Sequence, residues 1–236
     1  MKRALLSTIL LVSVALPANA QRQLERDTGS MIPVPRRARI SDSGKLSDQA
    51  RARVTLAQFA RCTVDRRSKE VAALAGQSAD KLGGMAMAKV ADDECLSSGE
   101  MRMKPMLMRG ALFVELYRRR ERAAGRGEPW SMPAVAFDGR TPVDTGDGDL
   151  ALQFGLLSFA ECVVRHDAQA TRAVVLAPTA SNEQDAAFAA LAPHLGQCLP
   201  GGQKIALGKS ILEGALGEVL YRGTVPVAPS VSQEAR

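Results

Sequence analysis

Two stretches of this chain resemble each other about one hundred residues apart, and this repetition limits the fold more than any other feature. "LAQFARCTV" at 56–64 matches "LLSFAECVV" at 156–164 in Leu, Phe, Ala, Cys and Val. "RGALFVELYR" at 109–118 matches "EGALGEVLYR" at 213–222 in Gly, Ala, two Leu, Tyr and Arg. Between these blocks, Cys95-Leu96 answers Cys198-Leu199. The offset drifts from 100 to 103 to 104, so four insertions in the second copy account for it. The expectation is an internal duplication, and each unit must bury its apolar face within itself or against its neighbour.

Each copy reads as four helices. Leu152, Leu156, Phe159 and Val163 fall on one helical face of the second copy. Asp167 opens a short helix through Leu176, which Pro178 stops. Ser181 with Gln184 is a capping box for a third helix running towards Cys198, with His194 and Pro193 near its end. A fourth helix ends at Arg222, before Gly223. The first copy has the same plan, with Gly76 ending its second helix and Pro105 in the first turn of its fourth. Residues 204–207 are the one candidate for a short extended piece. The fold class is therefore all-α, two tandem four-helix units at 47–123 and 151–223. Pro- and Gly-rich linkers at 21–46 and 124–150 and a disordered tail at 224–236 surround them.

The first twenty residues read as an address. Lys2 and Arg3 precede an apolar run at 4–16, and Ala18-Asn19-Ala20 is a small-x-small cleavage site. A run of thirteen residues, ten of them apolar, is too short to span a bilayer, which needs about 20. The expectation is a signal peptide cleaved after Ala20, a periplasmic or secreted location, and no integral membrane segment. In an exported protein four cysteines point to disulfides. The repeat selects one pairing of three: Cys62 with Cys95, and Cys162 with Cys198.

Matched positions are mostly architectural. Gly110 and Gly214, mid-helix, would each cost about 1 kcal/mol relative to Ala, which suggests close helix packing. Gly110 and Tyr117 share a face opposite Leu112 and Leu116, so the fourth helix presents two contact faces. Tyr117-Arg118 and Tyr221-Arg222 are the matched polar groups, candidates for a ligand site in each copy or for buried Tyr with Arg at a helix C-terminus.

Six of nine Met lie at 85–108, a composition that could hold Cu(I) through thioethers. Met101, Met103 and Met108 align with Ile205, Leu207 and Leu212, which reads as core filled by Met. His166-Asp167 resembles part of a catalytic pair, but the first copy has Arg66 at the place of His166 and no Gly-x-Ser-x-Gly accompanies it. "GGQKIALGKS" lacks the glycine a phosphate loop needs, and "DTGDGD" departs from a calcium loop. Few aromatics disfavour stacking on sugars or nucleic acid. The net charge of +6 falls to +4 when Lys2 and Arg3 leave with the leader. The excess sits in the first copy, whose "RRRER" at 118–122 reads as a solvated helix end that could also meet an anionic surface.

The second copy carries Phe-Ala-x-Cys-Val-Val, a Cys-Leu-Pro-x-Gly turn and a closing Gly-Ala-Leu-x-x-x-Leu-Tyr-Arg helix. In these motifs, over 156–222, it resembles a group of secreted two-repeat helical proteins of alphaproteobacteria with no assigned activity. The first copy departs from the pattern, with Ser97 in place of the turn proline. The resemblance implies location and fold only. The sequence thus reads as a non-catalytic interaction module with an unknown protein partner and no catalytic residue, cofactor or metal. The alternatives are an enzyme using His166 and Asp167 and a soft-metal binder.

Overall fold

The structure, a computed structural model, describes residues 46–77, 81–96, 101–124, 148–199 and 207–224, all within one compact unit, Ala38–Arg236. The expected leader, nearly all of both linkers, the tail and residues 204–206 lie outside the described residues.

Eight α-helices and one 3-10 turn form among the described residues, with no strand. The first half holds α1 (Asp48–Arg66), α2 (Ser68–Ala75), α3 (Gly84–Val90), the 3-10 turn Asp93–Cys95, and α4 (Pro105–Ala124). The second half holds α5 (Gly148–His166), α6 (Ala168–Leu176), α7 (Asn182–Gln197) and α8 (Lys209–Thr224). Side-chain caps set several starts: Ser47 accepts from Ala50 N, Asp167 from Ala170 N and Ser181 from Gln184 N. Gly76 caps α2 as expected, whereas α8 continues through Gly223 to Thr224.

The third helix differs most between the halves. In the second half it is one 16-residue helix, α7, which accommodates Pro193 and runs on to Gln197. In the first half it is the seven-residue α3 followed by the 3-10 turn. The sequence explains the break: Gly83, the N-cap of α3, offers no side-chain cap, and the Asp92 carboxylate accepts from the Glu94 amide to begin the tighter turn.

Both disulfides have the expected pairing. Cys62–Cys95 joins α1 to the 3-10 turn, and Cys162–Cys198 joins α5 to the cap of α7, with Cα atoms 5.6 and 5.7 Å apart. No free cysteine occurs among the described residues. No helix of the described residues is long and apolar enough to cross a membrane.

The most extensive helix pairing joins α4 to α8, one from each half. They cross at Gly110 and Gly214, where a Cβ built on Gly110 would lie 2.6 Å from the Gly214 Cα. Farther along, a Cβ on Gly217 would meet Val114 at 2.6 Å. α1 then packs on α4, α5 on α8, and α6 on both α7 and α8. Two apolar clusters result. One is built from first-half residues, including Phe59, Val64, Val71, Leu112 and Phe113, with Tyr221 of α8 leaning on it. The other takes Phe154, Leu157, Val163, Val174, Leu191 and Leu216 from the second half and Val114 and Tyr117 from α4.

Leu152 departs from its expected face. Leu156, Phe159 and Val163 are buried, but Leu152 is 58% exposed while its neighbours Leu150 and Phe154 meet the cluster. Five of the six described methionines lie in or against the apolar clusters. Met87 and Met108 are buried, Met101, Met103 and Met106 pack at the cluster edges, and Met85 is exposed.

Candidate functional site

Charged side chains lie in the α4–α8 interface, where burial demands partners. Arg109 of α4 grips Glu218 of α8 with two bonds, Nε to Oε2 at 2.7 Å and an Nη to Oε1 at 2.6 Å, both residues being almost fully buried. Arg222 donates to the same carboxylate at 2.8 Å. On another part of the interface Glu213 of α8 accepts from Arg53 of α1 and Arg118 of α4, each at 3.1 Å. Gln184 of α7 ties in as well, accepting from Arg53 at 2.6 Å and donating to Val174 O. It also accepts from the amide of Ala180, whose φ of 62° places it in the left-handed region. Glu115, buried on α4, is held by Arg119 and Arg122 at 3.0 Å each.

The four matched residues Tyr117, Arg118, Tyr221 and Arg222 face across the two halves. Arg118 of α4 donates to Val175 O and Ala177 O at 2.7 and 2.8 Å, capping the C-terminal end of α6 in the second half. Arg222 of α8 donates to Gln77 O at 3.0 Å, just past the end of α2 in the first half. Gln77 and Ala177 are one hundred residues apart, the offset between the matched stretches 56–64 and 156–164. The tyrosines cross similarly. Tyr117 is fully buried in the second-half cluster, and Tyr221 lies 5.6 Å from the Phe113 ring of the first. Burial, then the neighbouring Glu121 carboxylate, raises the Tyr117 phenol well above its ordinary value. Its hydroxyl lies near Glu121 but makes no bond of hydrogen-bond geometry. Burial pulls the Arg118 guanidinium below its usual value, while Glu213 opposes the shift.

This places the basic run differently from the sequence reading. Arg118 is 14% exposed and Arg119 reaches Asp65 and Arg61 O, so the start of "RRRER" faces neighbouring helices. Solvation holds better at Arg122, 60% exposed. Nothing local in the sequence signals the bonds of Arg53 to Gln184 and Glu213, of Arg109 to Glu218 and of Arg118 to Glu213, whose partners lie 95 to 160 residues apart. A signal was available in Glu213 and Glu218, two carboxylates inside an otherwise apolar closing helix.

Two cavities flank the interface. One of about 30 Å³, bordered by Arg53, Glu115, Arg118, Thr179 and Glu213, has room for roughly one water or two. The other, of about 400 Å³, opens between the starts of α4 and α5. Leu82, Met106, Leu150 and Leu152 form its apolar walls, with Lys104, Arg109 and Asp149 among them. Its size is in the range of a small-molecule or peptide side-chain pocket. Asp149, from the "DTGDGD" segment, stands in the first turn of α5, where a carboxylate suits the helix dipole.

Asp167 and His166 each have a distinct setting at the junction of α5 and α6. Asp167 caps α6, and its other oxygen lies 3.6 Å from His194 Nε2. His166 ends α5 in an exposed position, one turn after Cys162. Its imidazole, with the sulfurs of Cys162 and Cys198, forms a group whose ligand atoms all lie within 4.8 Å of one another. The equivalent place in the first half holds Arg66, bound to Asp92 at 2.8 Å and to Glu94. The Arg66 hydrogen bond holds the Asp92 carboxyl below its usual range. No protein-family model, curated protein or solved structure matches this chain.

Proposed function

We propose that this chain is an exported, non-catalytic interaction module that arose by tandem duplication and now stands as a covalent pseudo-dimer. The observation that carries the reading is the reciprocal use of the closing arginines. Arg118 caps α6 and Arg222 reaches the end of α2, each serving the other half at positions one repeat offset apart. The arginines of the motif present in both halves therefore serve assembly, each bonding backbone carbonyls of the other half. The buried carboxylates Glu213 and Glu218 are likewise held by arginines. Asp167 serves as a helix cap, accepting from Ala170 N. Two disulfides and the leader-like start favour the periplasm or the exterior.

Two measurements test this. Protein recovered from the periplasmic or culture fraction should begin at Gln21; a full-length chain confined to the cytosol would overturn export. A partner crosslinked in that fraction, then purified, should bind directly by calorimetry. The variants His166→Ala and Asp167→Asn should leave its affinity unchanged within about twofold, or 0.4 kcal/mol. Turnover of any substrate that His166→Ala abolishes would replace this reading with an enzymatic one.

A further inference from the structure

We propose that Cys162, Cys198 and His166 form a redox-gated site for a thiophilic divalent cation of the zinc type. The geometry is local and firm. Cys162 and His166 are one turn apart on α5, so their side chains share a face. Cys198, at the cap of α7, approaches that face closely enough to form the disulfide. The three ligand atoms already lie within 4.8 Å of one another. Donors on one tetrahedral zinc, at about 2.0–2.3 Å from the metal, sit about 3.4–3.8 Å apart. The sulfurs must therefore separate from 2.05 Å, and the imidazole needs only a small approach. Both cysteines are half-buried and His166 is exposed, so a reductant and an ion can reach them.

The first half acts as an internal control. There the same place beside Cys62 and Cys95 holds Arg66, a cation that cannot ligate and that is bound to Asp92 and Glu94. A purely structural staple needs no histidine, as the first half demonstrates. Only the second half combines two sulfurs with an imidazole, a donor set suited to zinc.

The chemistry closes in two steps. An external dithiol gives two electrons and two protons to the Cys162–Cys198 bond, is itself oxidised to a disulfide, and leaves two thiols. The divalent ion then displaces both thiol protons, binds two thiolates and neutral His166, and keeps a fourth position for water. While the disulfide stands, the site is closed to metal.

The test uses the mature chain, reduced with a phosphine under argon and titrated with Co(II), whose thiolate complexes show sulfur-to-metal charge transfer. One Co(II) per chain with that band is expected, and none for the oxidised protein. Zn(II) should shield Cys162 and Cys198 from iodoacetamide but leave Cys62 and Cys95 open to alkylation, as read by mass spectrometry. His166→Ala should weaken binding by about tenfold or more with helicity unchanged. If reduction melts helices, equimolar Zn(II) should restore the circular dichroism. Absence of the band, equal protection of all four cysteines, no effect of His166→Ala, or failure of Zn(II) to restore a melted chain would each overturn the proposal.

Discussion

Arg109 shows how a single residue can bind the two halves. Its guanidinium meets Glu218 in a nearly dry contact, so removing it leaves a buried carboxylate with Arg222 alone. Breaking such a pair typically costs about 3–5 kcal/mol, and the remaining Arg222 contact puts Arg109→Ala near the lower end. The double change Arg109→Met with Glu218→Leu should recover most of that loss, because it removes both desolvation penalties together. Guanidinium denaturation midpoints check both. Tyr117 gives an opposite case. Its hydroxyl is buried without a bonded partner, so Tyr117→Phe should leave stability at neutral pH unchanged or raise it, by up to about 1–3 kcal/mol. The folded phenol ionises at higher pH than an unfolded one, whose ordinary value is about 10. Its contribution is therefore complete below pH 10 and lost as pH rises beyond it. Wild type should weaken above about pH 10 more steeply than Tyr117→Phe, as pH-dependent unfolding would show. The burial of Tyr117 was legible in the sequence, but the Arg109 pair was not. Arg109 looked like any arginine near a helix start, since Glu218 lies 109 residues away.

At the scale of elements, the sequence was informative where the signal is local. Caps at Asp167 and Ser181 marked starts that the structure keeps, and the disulfide pairing followed from the order of matched blocks. Gly110 and Gly214 were readable as packing glycines, because a mid-helix glycine needs a reason. What periodicity could not convey was that they meet each other, across the halves. That contact yields a prediction with opposite signs at similar positions. Gly110→Ala or Gly214→Ala should destabilise by about 1–3 kcal/mol despite better helix propensity, because the new methyl strikes backbone at 2.6–2.7 Å. Gly155→Ala, on an exposed part of α5 with nothing within 4 Å, should instead stabilise by up to about 1 kcal/mol. Thermal melts of the three variants decide it; equal signs at Gly155 and Gly110 would mean the helices do not cross there.

At the scale of the molecule, the sequence suggested two units in series, but the packing makes each depend on the other. α4 of the first half supplies Val114 and Tyr117 to the second cluster, and Tyr221 of α8 leans on the first. The arginine caps run both ways between them. Neither half can lose its structure without exposing core of the other, so unfolding should be one cooperative transition. Calorimetric and van't Hoff enthalpies should then agree. The disulfides sharpen the test. Spans of 33 and 36 residues correspond to about 3.7 kcal/mol each in the chain-entropy model. Replacing Cys62 and Cys95 by Ser should therefore lower stability by about 2–5 kcal/mol. The loss should appear as faster amide exchange in α6 and α7 of the second half as well as in α1 and α2. If exchange in the second half were unchanged, the halves would be independent domains, and the shared α4–α8 axis would be a contact without energetic consequence.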